Sequence, residues 1–144
     1  MCNILTGYIN PEGWREDFFQ ACRKVNRPGE IETDDILTPR QREKVVPFRL
    51  TKEFCDCCTA IGGGSADEPE LAEHIRFFRA LQRCPKLRFI EIFNHFYSVQ
   101  SDQQLRAEKE IPLRKTHIDQ LTPAMLAELP EDTVLRILLY RKSW

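Results

Sequence analysis

No stretch of this chain approaches the roughly 20 consecutive apolar residues needed to cross a bilayer, and no basic run leads into an apolar secretory core near residue 1. The expectation is an intracellular, cytoplasmic protein without a membrane partner. An excess of one charge is missing too: 21 basic residues stand against 22 acidic ones, for a net charge of −1. A dedicated nucleic-acid binder carries a basic face or stripe, so nucleic acid is not the expected partner. Histidine is scarce, with three residues (His74, His95 and His117), and nothing in their spacing specifies a thiol or hydroxyl partner. Cys57 or Cys58 with His95 or His117 is the nucleophile-and-base pairing on offer, but no complete catalytic set is specified; whether the chain is an enzyme stays open, with a non-enzyme the favoured reading. Internal repeats and low-complexity segments are also lacking.

What is present suits one globular domain over 1–144. Hydrophobic residues make up 42% of the 144 and charged residues 30%, which is ordinary for a soluble fold. A chain of this length buries roughly two thirds of the surface its unfolded form exposes. It therefore needs no covalent staple, and its six cysteines (Cys2, Cys22, Cys55, Cys57, Cys58 and Cys84) are expected as reduced thiols. Cys22 and Cys84 fall on or beside apolar helix faces and read as small core residues.

Half of the cysteines and half of the glycines lie in one stretch, Phe54-Cys55-Asp56-Cys57-Cys58-Thr59-Ala60-Ile61-Gly62-Gly63-Gly64-Ser65. The approach to it alternates Val46, Phe48 and Leu50 with polar residues, which predicts extended chain running through the cysteines to Ile61. Three glycines must end that element. Beyond them Leu71, Ile75, Phe78 and Leu81 recur at helical steps. Asp67 as N-cap, or Glu68 before Pro69 as first helical residue, opens a helix that Cys84-Pro85 closes.

Elsewhere the pattern predicts a strand over 1–9 and a helix over 14–25, together resembling the first half of a βαβ unit. A long strand over 87–97 sets Phe89, Glu91, Phe93, His95 and Tyr97 on one face and Ile90, Ile92, Asn94 and Phe96 on the other. A polar turn follows over 98–104. Pro112 confines residues 110–118 to an edge strand or extended connection. Thr122-Pro123 starts a short helix, and a nearly continuous apolar strand over 134–140 belongs inside its sheet. These elements predict an α+β (mixed α/β) fold. It is a single two-layer domain in which two long helices and one short helix pack on a mixed sheet of about five strands.

Between helix and strand, the connector over 27–44 is long and charged. An acidic piece with Glu32, Asp34 and Asp35 gives way to a basic one with Arg40 and Arg42. Charge runs usually face water, yet loops of this length on a rigid scaffold also carry recognition. These five residues are the candidate partner contacts.

Four chemistries compete for the cysteine-glycine stretch. The Cys55-x-x-Cys58 spacing is that of dithiol redox motifs, whose first cysteine gains acidity at a helix N-terminus; here residues 59–64 follow and no helix begins. A zinc site on Cys55, Cys57 and Cys58 lacks the second close pair of ligands that structural zinc normally has. The glycine turn before a helix matches phosphate-binding loops, but Asp67, Glu68 and Glu70 would repel an anion and no lysine follows. Cysteines packed inertly on a buried strand complete the set. His95 reads as a satisfied sheet histidine, and His74 and His117 as surface residues.

The functional expectation is thus a non-catalytic protein-binding domain, of inhibitor or immunity type, with another protein as partner and no cofactor. The alternative is a thiol-based redox or zinc-binding protein using Cys55, Cys57 and Cys58.

Overall fold

The computed structural model describes residues 2–33, 35–37, 41–42, 44–52, 56, 58–107 and 110–140. Five strands, β1 (Cys2–Ile9), β2 (Val46–Arg49), β3 (Phe89–Tyr97), β4 (Leu113–His117) and β5 (Val134–Leu138), form one sheet in the order β2-β1-β3-β5-β4. All neighbours are antiparallel except β4 and β5, which run parallel. The helices are α1 (Glu16–Lys24), α2 (Pro69–Ala80), α3 (Val99–Arg106) and α4 (Pro123–Ala127). The α+β architecture with a mixed five-stranded sheet is the one the patterning predicts.

Strand alternation decides which face holds the core. Ile90 and Ile92 of β3 stand beside Ile9 and Gly7 of β1 and beside Ile137 and Leu135 of β5. Onto this face pack Phe18 and Cys22 from α1, Leu71, Ile75 and Phe78 from α2, and Leu126 and Ala127 from α4. Each fully buried aromatic or aliphatic side chain here contributes about 1.5–3 kcal/mol. Gly7 makes room for its cross-strand partner, because a Cβ at that position would lie 2.4 Å from Phe48 Cζ. The opposite face carries a smaller apolar cluster, in which Tyr8, Phe93 and Val134 meet Ile36, Leu37 and Leu105.

Helix boundaries follow their local chemistry. Asn26 takes the left-handed conformation after α1 (φ 60°), and the Arg27 N–H returns to Cys22 O at 2.8 Å, a common helix stop. Pro69 opens α2 after Glu68, as the sequence suggests, and Thr122 caps α4 by accepting from the Met125 N–H.

Three local expectations are corrected. The extended element does not run on from β2: Cys55 and Cys57 lie outside the described residues, β2 stops at Arg49, and no described residue between 50 and 65 belongs to a strand. The reason is Asp56. Its N–H donates to Asn3 O at 2.7 Å and its carboxylate accepts from the Leu5 N–H at 2.9 Å, so one residue satisfies the stretch of β1 edge that β2 does not reach. Second, β1-α1-β2 is not half of a βαβ unit, since β1 and β2 pair antiparallel. The parallel unit is β4-α4-β5. Third, residues 99–106 form α3 rather than a turn; Ser98 accepts from the Ser101 N–H as N-cap, and Leu105 anchors the helix on the sheet.

His74 and His117 are buried, at 3% and 4% exposure, not on the surface as expected. His117 Nε2 donates to Tyr140 O at 2.6 Å while Nδ1 accepts from the Asp119 N–H, fixing the end of β4 to the chain after β5. His74 Nδ1 accepts from Arg27 at 3.0 Å, and its Nε2 stands 3.4 Å from Glu70. Burial first, and the Arg27 guanidinium second, push the His74 imidazolium down from 6.5 to about 4. The unfolded chain therefore takes up a proton that the native state refuses, and stability contributed by neutral His74 is present above pH 6.5 and lost as pH falls toward 4. Denaturant midpoints recorded between pH 7.5 and 4.5 should fall less steeply in His74→Gln than in wild type. Equal slopes would remove His74 from the acid response.

Candidate functional site

The face of the sheet away from α1, α2 and α4 carries a polar row that crosses four strands in register. Tyr8 of β1 is opposite Glu91 of β3, Glu91 is opposite Arg136 of β5, and Arg136 is opposite Lys115 of β4. Glu91 is fully buried. Arg136 Nε donates to its Oε2 at 2.7 Å, and Arg42 pairs with its Oε1. Both guanidiniums also lie over rings, Arg42 over Tyr8 at 4.7 Å and Arg136 over Phe89 at 4.2 Å, an arrangement that favours a cation on an aromatic face. The Tyr8 hydroxyl donates to Asp35 Oδ1 at 2.7 Å, and burial and the Asp35 carboxylate push Tyr8 ionisation far above its ordinary range. Burial likewise raises the Asp35 carboxyl.

The connector residues expected to meet a partner therefore have internal contacts. Glu32 is buried and lies 3.8 Å from Arg49, Asp35 holds Tyr8, and Arg42 holds Glu91. Asp34 and Arg40 lie outside the described residues. Where it is described, the connector is not a solvated loop: Glu30 O and the Glu32 N–H pair with Arg49 and Pro47 along the outer side of β2, and Ile36 and Leu37 are buried on the sheet. The sheet edge at β2 is closed by this addition.

At the other end of the row the edge is open. β4 pairs with β5 alone among the described residues. Pro112 O accepts from the Val134 N–H, and in a parallel ladder alternate residues face the partner strand. Leu113 and Lys115 thus turn their main-chain groups outward. Leu113 is 40% exposed, and Arg114 and Lys115 are exposed beside it.

Lower on the same face lies a second polar group, centred on His95. Its Nδ1 is 2.5 Å from Asp132 Oδ1 and its Nε2 is 2.7 Å from Asp102 Oδ1. His95 is fully buried, with its ring stacked on Phe93 and edge-on to Tyr97, so it is a satisfied sheet histidine as expected. Its carboxylate neighbours were not anticipated, because Asp102 and Asp132 come from segments whose approach to β3 is a tertiary property. Glu91 and Arg136 did leave a signal: each is a single acidic or basic residue among the apolar residues that surround it in its strand, Ile90 and Ile92 in β3 and Leu135 and Ile137 in β5.

Of the candidate thiols, Cys58 is exposed in a turn, and Cys55 and Cys57 lie outside the described residues. Asp56, between them, is held at β1. Cys22 and Cys84 are buried, and burial pushes their thiols up to about 12 and about 11. No described helix is long and apolar enough to cross a membrane. A scan against family models and searches of curated proteins and of solved structures found no match to this chain.

Proposed function

We propose that this protein is a non-catalytic protein-binding domain, of inhibitor or immunity type, that takes an extended, acidic segment of a partner along the open edge of β4. The observation that carries the reading is the one-sided pairing of Leu113–His117, with Leu113, Arg114 and Lys115 in solvent. An exposed edge strand is a template for strand addition, with main-chain hydrogen bonds giving affinity and alternate side chains giving specificity. The internal contacts of Glu32, Asp35 and Arg42 move the proposed contact surface from the connector to β4. A second copy of the chain is a poor occupant. Antiparallel self-pairing centred on β4 sets Lys115 against Lys115, and like charges directly opposite are destabilising. An acidic strand replaces that repulsion with attraction. A cytoplasmic setting is part of the proposal, supported by Cys22, Cys58 and Cys84 being free thiols.

The test uses an eight-residue alternating Val-Glu peptide and its Val-Lys counterpart, titrated into isotopically labelled protein. Amide shifts should centre on Leu113 and Lys115 with the acidic peptide and weaken at least about tenfold in Arg114→Glu/Lys115→Glu, in line with steered, charge-selected docking. Equal binding of the two peptides, or shifts mapping away from β4, would defeat the reading.

A second reading, thiol redox chemistry or zinc binding at Cys55-Asp56-Cys57-Cys58, is favoured by the exposure of Cys58, which lines a pocket of about 180 Å³ with Thr59, Ser65 and Glu68.

A further inference from the structure

We infer that His95, Asp132 and Glu131 form a binding site for one divalent transition-metal ion, of the Mn²⁺ and Fe²⁺ class, with Asp102 as the carboxylate that orients the imidazole. The inference is independent of the β4 edge and of the cysteine segment.

The side chains converge from three places in the chain. His95 projects from β3, Asp102 from the first turn of α3, and Glu131 and Asp132 from the turn before β5. One ligand atom from each of His95, Glu131 and Asp132 lies within 4.8 Å of the others. That is close to the span of ligands placed about 2.0–2.2 Å from a common ion. The turn is fixed from both sides: the Asp132 N–H donates to Asn94 O at 3.1 Å, and Glu131 Oε1 accepts from the Phe96 N–H at 3.1 Å. Glu131 keeps its second oxygen for an ion.

The observation that points to a metal, and not simply to an acidic cluster, is the far side of the ring. Ligating histidines almost always give their other N–H to a carboxylate, carbonyl or water, which fixes the tautomer and raises ligand basicity. Asp102 Oδ1 occupies that place, 2.7 Å from Nε2, and is itself held by the Ser98 N–H at 3.3 Å. Nδ1 then faces Asp132 and Glu131. An ion seated among Nδ1, Asp132 and Glu131 would leave the Asp102 contact at Nε2 in place.

One imidazole and two carboxylates are a nitrogen-and-oxygen donor set with no thiolate, which suits Mn²⁺ or Fe²⁺. A polar cavity of about 200 Å³, lined by Ser101, Glu110, Glu131, Asp132 and Thr133, opens beside the group and leaves the remaining coordination positions to water.

Mn²⁺ is the probe, because the cysteines compete poorly for it. Loss of the free Mn²⁺ electron paramagnetic resonance signal should report one bound ion per chain. Asp132→Asn and Glu131→Gln should abolish binding, Asp102→Asn should weaken it about 10–100-fold, and Cys58→Ser should leave it unchanged. Glu131 is exposed, so Glu131→Gln carries the test should Asp132→Asn fail to fold. A free signal undiminished by wild-type protein at millimolar Mn²⁺, or binding that survives both carboxylate changes, overturns the site.

Discussion

Glu91→Ala is expected to lower folding stability by about 3–5 kcal/mol, the usual consequence of removing one partner from a buried ion pair. Glu91 has no exposed side-chain surface, and the two guanidiniums it holds are 10% (Arg42) and 24% (Arg136) exposed. Without the carboxylate, Arg42 of the connector is left as a cation without its buried counter-charge, and must either stay desolvated or pull away from the sheet. Both routes are costly for a domain whose total stability lies near 5–15 kcal/mol. The comparison that isolates this cause replaces all three charges together. Glu91→Leu with Arg42→Met and Arg136→Met removes the desolvation penalty along with the attraction, and should leave stability within about 1 kcal/mol of wild type or above it. Urea unfolding of the single and triple variants measures both. A single-variant loss under about 1 kcal/mol would mean that the row does not hold the connector down.

Asp56→Ala should cost about 2–4 kcal/mol, since hydrogen bonds to a charged group are worth roughly 1.5–3 kcal/mol and a stranded buried donor adds its own penalty. The carboxylate accepts from the Leu5 N–H at 2.9 Å and from the Thr51 hydroxyl at 2.6 Å, and alanine leaves the Leu5 donor on an interior strand without a partner. Asp56→Asn keeps one acceptor and should lose about half as much. The same variants bear on the thiol reading. In folded wild type an alkylating reagent near pH 8 should label Cys58, which is exposed, and reach Cys22 and Cys84 only on unfolding. Failure to label Cys58 in the folded protein would remove the observation on which thiol chemistry rests.

The sequence speaks clearly wherever a short-range pattern decides the structure. Alternation over Phe89–Tyr97 assigns every side chain of β3 to its correct face, Pro112 marks β4 as peripheral, and Thr122-Pro123 starts α4. It misleads where a distant group changes the outcome. The cysteine stretch has the composition of a strand, but Asp56 spends its hydrogen bonds on β1 and Cys58 lies in a turn. The 98–104 segment is polar because α3 shows only Leu105 to the core, so its helix leaves almost no apolar stripe to detect. The connector's charges look solvated because their partners, Tyr8, Glu91 and Arg49, lie 17 to 49 positions away. The His95 group is hidden for the same reason: only the paired sheet brings Asp102 and Asp132 to its two nitrogens.

The place of β1 in the strand order has a consequence during synthesis. Residues 2–9 leave the ribosome some 80 residues before β3, the neighbour with which they pair over their whole length, begins at Phe89. At about 5–20 residues per second, that is a wait of roughly 4–16 s in which β2, of the two strand neighbours of β1, is the one available. β2 supplies the earlier neighbour, pairing with Thr6–Ile9 across 37 to 43 positions, and β3 then joins the other side of β1 across 81 to 95 positions. Such late, long-range pairing slows folding and leaves the β3 side of β1 open on the nascent chain until residues 89–97 arrive.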